Sequence, residues 1–176
     1  MATNINWILD QLPMVLSNLG KYNLWAGNEA RKILQKLASD DFNKDLGDPI
    51  GSLRQKVEHI LLAYETCYSF YYNSWEDMKN RVKRVKSMSK AELLDYWYLR
   101  DKFLSEQLEQ ADFGKIKIQR ASEDDYFLIN GDDFLVQYIL HTVYHRGQLN
   151  YCLNLLESPR IEADYLYYFD DLDEKE

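Results

Sequence analysis

The stretch LVQYILHTVYHRGQLNYCLNLLE, from Leu135 to Glu157, leaves the fold of this sequence the least freedom. Apolar residues recur along it at helical spacing, which predicts a long helix turned into a core. His141 and His145 stand four apart within it. Positions four apart share one helix face about a turn apart, so both imidazoles aim at one point. The only other histidine, His59, lies in a second apolar helical run, VEHILLAYETCYSFYY. Two imidazoles from one helix and one from another make a three-nitrogen metal site between packed helices, with a fourth position open to water or substrate. Taken singly, a histidine in an apolar helix is ordinarily a core residue, and the glutamate of an HExxH motif is absent. The three counted together are what point to a metal.

The rest of the chain reads as an all-α single domain over residues 1–176, because three prolines and seven glycines leave long stretches uninterrupted. Residues 5–38 have helical periodicity, with Pro13 and Gly20 predicting a bent helix or two segments meeting near Gly20 to Asn23. Residues 39–51 read as a polar loop. Ser52 and Gln55 have capping-box spacing and open a helix running to about Trp75. Residues 76–89 are assigned to a crossover. Ser89 and Glu92 repeat the capping spacing and open a third helix that ends near Asp112 to Gly114. The alternation in KIKIQ, the turn residues SEDD and the β-prone YFLI predict a small hairpin or extended segment before the last helix. Residues 160–176 form an acidic aromatic tail, expected to lay an apolar strip on the body or on a partner and then to fray.

Twenty-one basic against 29 acidic residues give a formal net charge of −8, which argues against a general nucleic-acid binder. The basic run from Lys79 to Lys90 is read as cations that face solvent or pair with acids elsewhere, and in a milder version as an attractor for an anionic small substrate. Two cysteines, Cys67 and Cys152, lie inside apolar helical runs, and no signal-like start is seen, so a reduced cytoplasmic protein is expected. No membrane span is expected. Cys67 and Cys152 stand about two turns from His59 and His145, too far to be additional ligands. The excess of tyrosine is consistent with a homodimer.

Three segments together resemble the DinB-like (damage-inducible) family of four-helix metalloproteins. HTVYHRGQL, from His141 to Leu149, is similar to its last-helix signature, YNLWAGNEARKIL from Tyr22 to its first helix, and VEHILLAYE to the helix that bears its first ligand. The resemblance implies a four-helix bundle with up-down-down-up connectivity and a divalent metal on His59, His141 and His145. Zinc or nickel is the leading metal, with iron, cobalt or manganese as alternatives. Some relatives are metal-dependent transferases that use a low-molecular-weight thiol; others resemble isomerases or hydrolases. Either a small-molecule substrate or a non-catalytic, metal-stabilised interaction module is consistent with this. The extra histidine common before HRGQ is replaced by Tyr144. The helix of Tyr22, Trp25 and Asn28 is read first as packing through Trp25 and second as a pocket wall; Tyr22, Trp25, Asn28 and Tyr144 are the candidates for the open face, and Gln148 for a hydrogen bond behind the ligands or a tie between helices. Arg146 is assigned either to a substrate anion or, preferentially, to a salt bridge with Glu58 or Asp133. Gly147 is read as allowing another backbone to come close.

Overall fold

The computed structural model describes residues 5–110, 114–119 and 124–173. Helix α1 spans Ile5–Lys36, α2 Ser39–Asn43, α3 Leu53–Tyr72, α4 Met78–Ser87 and α5 Lys90–Gln110. Strands β1 (Lys115–Gln119) and β2 (Tyr126–Asn130) follow, then α6 (Gly131–Leu155) and α7 (Tyr165–Asp173).

Local signals fix most of these boundaries. Ser52 accepts from the Gln55 amide while Gln55 accepts from the Ser52 amide, completing the capping box of α3. Ser89 and Glu92 exchange the same pair of bonds at the start of α5. Asn73 takes a left-handed conformation, φ 48°, and closes α3 at Tyr72, short of the expected Trp75. The hairpin forms as expected, antiparallel with Lys115 opposite Asn130 and Gln119 opposite Tyr126. The predicted end of α5 at residues 111–113 and part of the SEDD turn, at residues 122 and 123, lie outside the described residues.

The reading of residues 39–51 as a loop is corrected, and three other segments take a definite form. α1 continues through Pro13 and Gly20 as one helix. Gly20 serves packing: a Cβ there would sit 3.1 Å from Ser105 Cα and 3.2 Å from Leu108 Cδ1, so the glycine lets α1 and α5 approach closely. The loop 39–51 contains α2, whose Phe42 is buried. The crossover is structured, a 3-10 turn at Trp75–Asp77 followed by α4. Within the tail, residues 165–173 form a helix packed on α1, burying Tyr168 against Tyr22 and Trp25. Residues 174–176 of the expected frayed end lie outside the described residues.

The four long helices contact one another in directions that can be read from residue pairs. Gly20 meets Ser105 and Arg31 meets Tyr98, so α1 and α5 run antiparallel. His59 meets His145 and Phe70 meets Phe134, so α3 and α6 also run antiparallel. Glu65 with Tyr96 and Tyr72 with Gln107 make α3 parallel to α5.

Among the described residues the apolar core falls into two larger clusters, beside the small one of Tyr22, Ala26 and Tyr168. One cluster gathers Leu34, Ile60, Leu61, Trp97, Leu149 and Leu153; the other gathers Tyr64, Leu104, Leu108, Tyr138 and Ile139. On α5, Asp101 falls between Trp97 and Leu104, and on α6, Thr142 to Arg146 fall between Ile139 and Leu149. Buried polar residues thus occupy a layer between two apolar ones, and the histidines belong to that level of the molecule.

Candidate metal centre

α3 presents His59 and α6 presents His141 and His145, one turn apart, because helical spacing aims the pair at the neighbouring helix. The ring centroids are 4.5 Å apart for His59 and His145, 5.3 Å for His59 and His141, and 4.3 Å for His141 and His145. One nitrogen from each ring lies within 4.8 Å of the others. His145 is buried, His141 half-buried and His59 exposed, so the cluster opens to solvent on the His59 side.

The donor set fits a cation. His145 Nδ1 lies 2.8 Å from Gln148 Oε1, an acceptor, so Nδ1 carries the proton and Nε2 keeps its lone pair for the cluster. His141 Nε2 is buried without a hydrogen-bond partner, which would be a cost unless something coordinates it. Burial, with the neighbouring histidines adding to it, lowers the pKa of both His141 and His145. Both therefore favour the neutral, metal-binding form.

The DinB family pattern matches residues 3–175. The chain belongs to the DinB family. Comparison with curated proteins returns no match.

Other residues singled out in this DinB chain divide between two faces of α6. Gln148 lies beside His145, its Oε1 2.8 Å from Nδ1. Tyr144 is exposed, with its ring edge-on to His145 at 5.1 Å. Together with Pro49, Ile50, Lys56, Gln148, Tyr151 and Cys152 it lines a cavity of about 420 Å³. Tyr22 and Trp25 lie instead under the C-terminal helix: the Tyr22 hydroxyl donates to the Ala163 carbonyl at 2.9 Å and Trp25 Nε1 to Asp171 at 2.7 Å. Asn28 is half-buried on α1.

The salt bridge expected of Arg146 is not formed with either proposed acid. Glu58 pairs with Arg54 at 2.7 Å, and Asp133 accepts from Asn130 at 3.2 Å. Arg146 points toward α1, where Nη1 donates to Asn23 Oδ1 at 3.0 Å. Asn23 Nδ2 in turn donates to Asp101 Oδ1 at 2.8 Å. The Thr142 hydroxyl lies 2.7 Å from both Asn23 Oδ1 and the Ile139 carbonyl, and its one proton serves either. Sequence reasoning missed Asp101, whose signal was only an acid among the apolar positions of YWYLRDKFL. The carboxyl packs against α1 so closely that a Cβ on Gly27 would sit 2.2 Å from Asp101 Oδ2.

Gly147 also differs from expectation. A Cβ there meets nothing within 4 Å, so no backbone approaches it. Gly147→Ala should therefore stabilise the protein by up to about 1 kcal/mol through helix propensity alone. A rise in the urea midpoint with an unchanged slope is the expected reading, and a loss of stability would show that the site is crowded.

The cysteines are not part of the cluster. Both are free; burial pushes the Cys67 thiol up to about 12 and also raises that of Cys152. Neither has the low pKa of a reactive thiolate. The basic run is divided: Lys79, Lys83 and Lys86 are exposed, and the other three cations have partners within the fold. Arg81 pairs with Glu65, Arg84 stacks on Tyr96, and Lys90 donates to the Gln35 and Leu37 carbonyls. Among the described residues, no helix is long and apolar enough to cross a membrane.

Proposed function

We propose that this DinB protein binds a divalent metal through His59, His141 and His145 and uses it on small molecules, with transfer of a low-molecular-weight thiol to an electrophile as the leading activity. The observation that carries the reading is the convergence of three imidazole nitrogens within 4.8 Å of one another. His141 would bind through Nε2, and His145 through the nitrogen that Gln148 leaves free. Zinc or nickel suits such a nitrogen set best, and iron, cobalt or manganese is compatible with it. Held by neutral ligands, a divalent cation keeps its full charge and lowers the proton affinity of a thiol or water presented to it.

The protein's own residues supply position and access. Gln148 fixes the His145 ring, and exposure of His59 leaves a way in from solvent. The Tyr144 and Tyr151 side of α6 offers an apolar wall for an electrophile, with Lys56 as a cation for any acidic group on it. We read the four long helices as a four-helix bundle with up-down-down-up connectivity. The antiparallel pairs α1 with α5 and α3 with α6, and the parallel pair α3 with α5, support this, and α4 bridges the parallel connection. Two free cysteines accord with a cytoplasmic location.

Elemental analysis of protein purified from cultures supplied with several divalent metals tests the site. About one metal per chain is expected, lost in His141→Ala. Metal-free wild-type protein under every supply would overturn the reading. Turnover of a panel of thiols and electrophiles, dependent on the metal, tests the activity.

A second reading, a metal-stabilised bundle that acts as an interaction module or homodimer, draws on α7. Leu166, Tyr167 and Leu172 remain exposed on that helix. It requires removal of residues 160–176 to change the oligomeric state, with no turnover of any panel substrate.

A further inference from the structure

The cavity beside the histidines holds a cation that the fold does not use. Lys56 precedes His59 by three residues on α3, so the two share a helix face about one turn apart. On α6, Gln148 follows His145 by three residues and Cys152 by seven. Because α3 and α6 run antiparallel, Lys56 comes to the level of Gln148 and Cys152, and all three line the cavity of about 420 Å³. The ammonium acts through its charge on both His145 and Cys152, which places it between the two helices at that level.

Lys56 is half-buried, and its side chain has no hydrogen bond or ion pair among the described residues. Glu58, two positions on, pairs with Arg54, and no acid lines the cavity. Gln148 Oε1 is occupied by His145 Nδ1. A half-buried cation without a counter-ion makes this cavity a favourable place for an anion, in a chain whose net charge is −8. The rest of the lining is largely apolar. Tyr144 and Tyr151 are seven residues apart on one face of α6, about 10 Å along its axis. Both stay exposed, 64% and 54%, and Pro49 and Ile50 from the loop before α3 add to the same lining. Exposed tyrosine rings of this kind gain contact area when another ring packs on them.

We propose that the small molecule on which the metal centre acts is an aryl-substituted carboxylic acid, bound in this cavity with its carboxylate on Lys56 and its ring against Tyr144 and Tyr151. Its role as a substrate rests on the metal reading, whereas the binding site itself uses no histidine. A carboxylate without a ring leaves the tyrosines uncovered, and a neutral aromatic molecule leaves Lys56 without an acceptor, so recognition needs both parts.

Isothermal titration of the purified protein with 3-phenylpropionate tests it. Propionate, which lacks the ring, and 3-phenylpropanamide, which lacks the charge, are the controls. The acid should bind with a Kd on the order of 1 mM, and each control at least about tenfold more weakly. Lys56→Met keeps the aliphatic stem and should weaken the acid about tenfold while leaving the amide unchanged; Lys56→Arg should regain most of the binding. Tyr151→Ser should weaken acid and amide alike. No binding up to about 10 mM acid would overturn the proposal. So would an amide that binds as well as the acid, or wild-type affinity in Lys56→Met. Metal content is measured on the same samples, and protein stripped by a chelator should keep its affinity for the acid. Affinity lost on stripping but intact in Lys56→Met would put the carboxylate on the metal and overturn the Lys56 site. Binding by a protein that takes up no metal would uphold the site and overturn the ligand's role as substrate. Metal uptake without binding would leave the metal reading standing and remove this one.

Discussion

Glu65→Ala should lower the unfolding free energy by about 3–5 kcal/mol, the cost of leaving buried charges without their partner. The Glu65 side chain is fully buried. Oε2 pairs with Arg81 Nε at 2.9 Å, and Oε1 with Arg100 Nη2 at 3.0 Å and Nε at 3.1 Å. The Tyr96 hydroxyl donates to Oε1 at 2.6 Å. One carboxylate thus ties α3 to α4 and α5. It does so where the chain makes its parallel connection and has no short turn to fix the geometry. Removing it leaves two largely buried guanidiniums repelling each other, together with a tyrosine hydroxyl deprived of its acceptor. Arg81→Leu should cost less, because Arg100 still neutralises Glu65. Urea unfolding of the two variants checks both statements. A Glu65→Ala loss below about 1 kcal/mol would show that water enters and replaces the carboxylate.

Much of the candidate centre was legible because it is written in local spacing. His141 and His145 meet because a helix brings positions four apart onto one face, and the two capping boxes and the hairpin follow from equally short-range patterns. His59 could be added because the chain has so few histidines. What the sequence concealed depends on which helix lies next to which. An acid at position 65 or 101 looks like one more solvated helix residue until the neighbouring helix supplies arginines or Asn23. Gly20 and Gly27 resemble helix weaknesses until Ser105 and Asp101 are seen pressed against α1. For the helix of Tyr22 and Trp25, packing through Trp25 and a place in a pocket wall were both open, and the position of α7 decides for packing. Arg146 was assigned to acids with suitable charge, whereas its hydrogen-bonding partners are the neutral Asn23 and Thr142, which charge pairing cannot predict.

Asp101→Asn should change the pH dependence of stability more than any other substitution in the polar layer. Burial drives the Asp101 carboxyl up to about 7, against the opposing influence of Arg146, the Asn23 hydrogen bond and Arg31. In the unfolded chain it ionises near its ordinary value of 3.8. Between these values the unfolded state has released a proton that the folded state still holds. Stability therefore falls as pH rises from about 4 to about 7 and the contribution levels off above that, the whole change being on the order of 4 kcal/mol. The asparagine carbonyl can accept from Asn23 as the carboxyl does, but carries no titration. The difference in unfolding free energy, wild type minus variant, should accordingly decrease steadily across this window. His141 and His145 have lowered pKa values and act in the opposite sense, destabilising the fold as pH drops below the ordinary histidine range, but they are present in both proteins and cancel in the comparison. A difference that stays flat from pH 4 to pH 7 would mean that Arg146 and Asn23 hold Asp101 ionised throughout. The layer would then contain a permanent buried ion pair acting through space instead of a protonated acid beside an unpaired guanidinium.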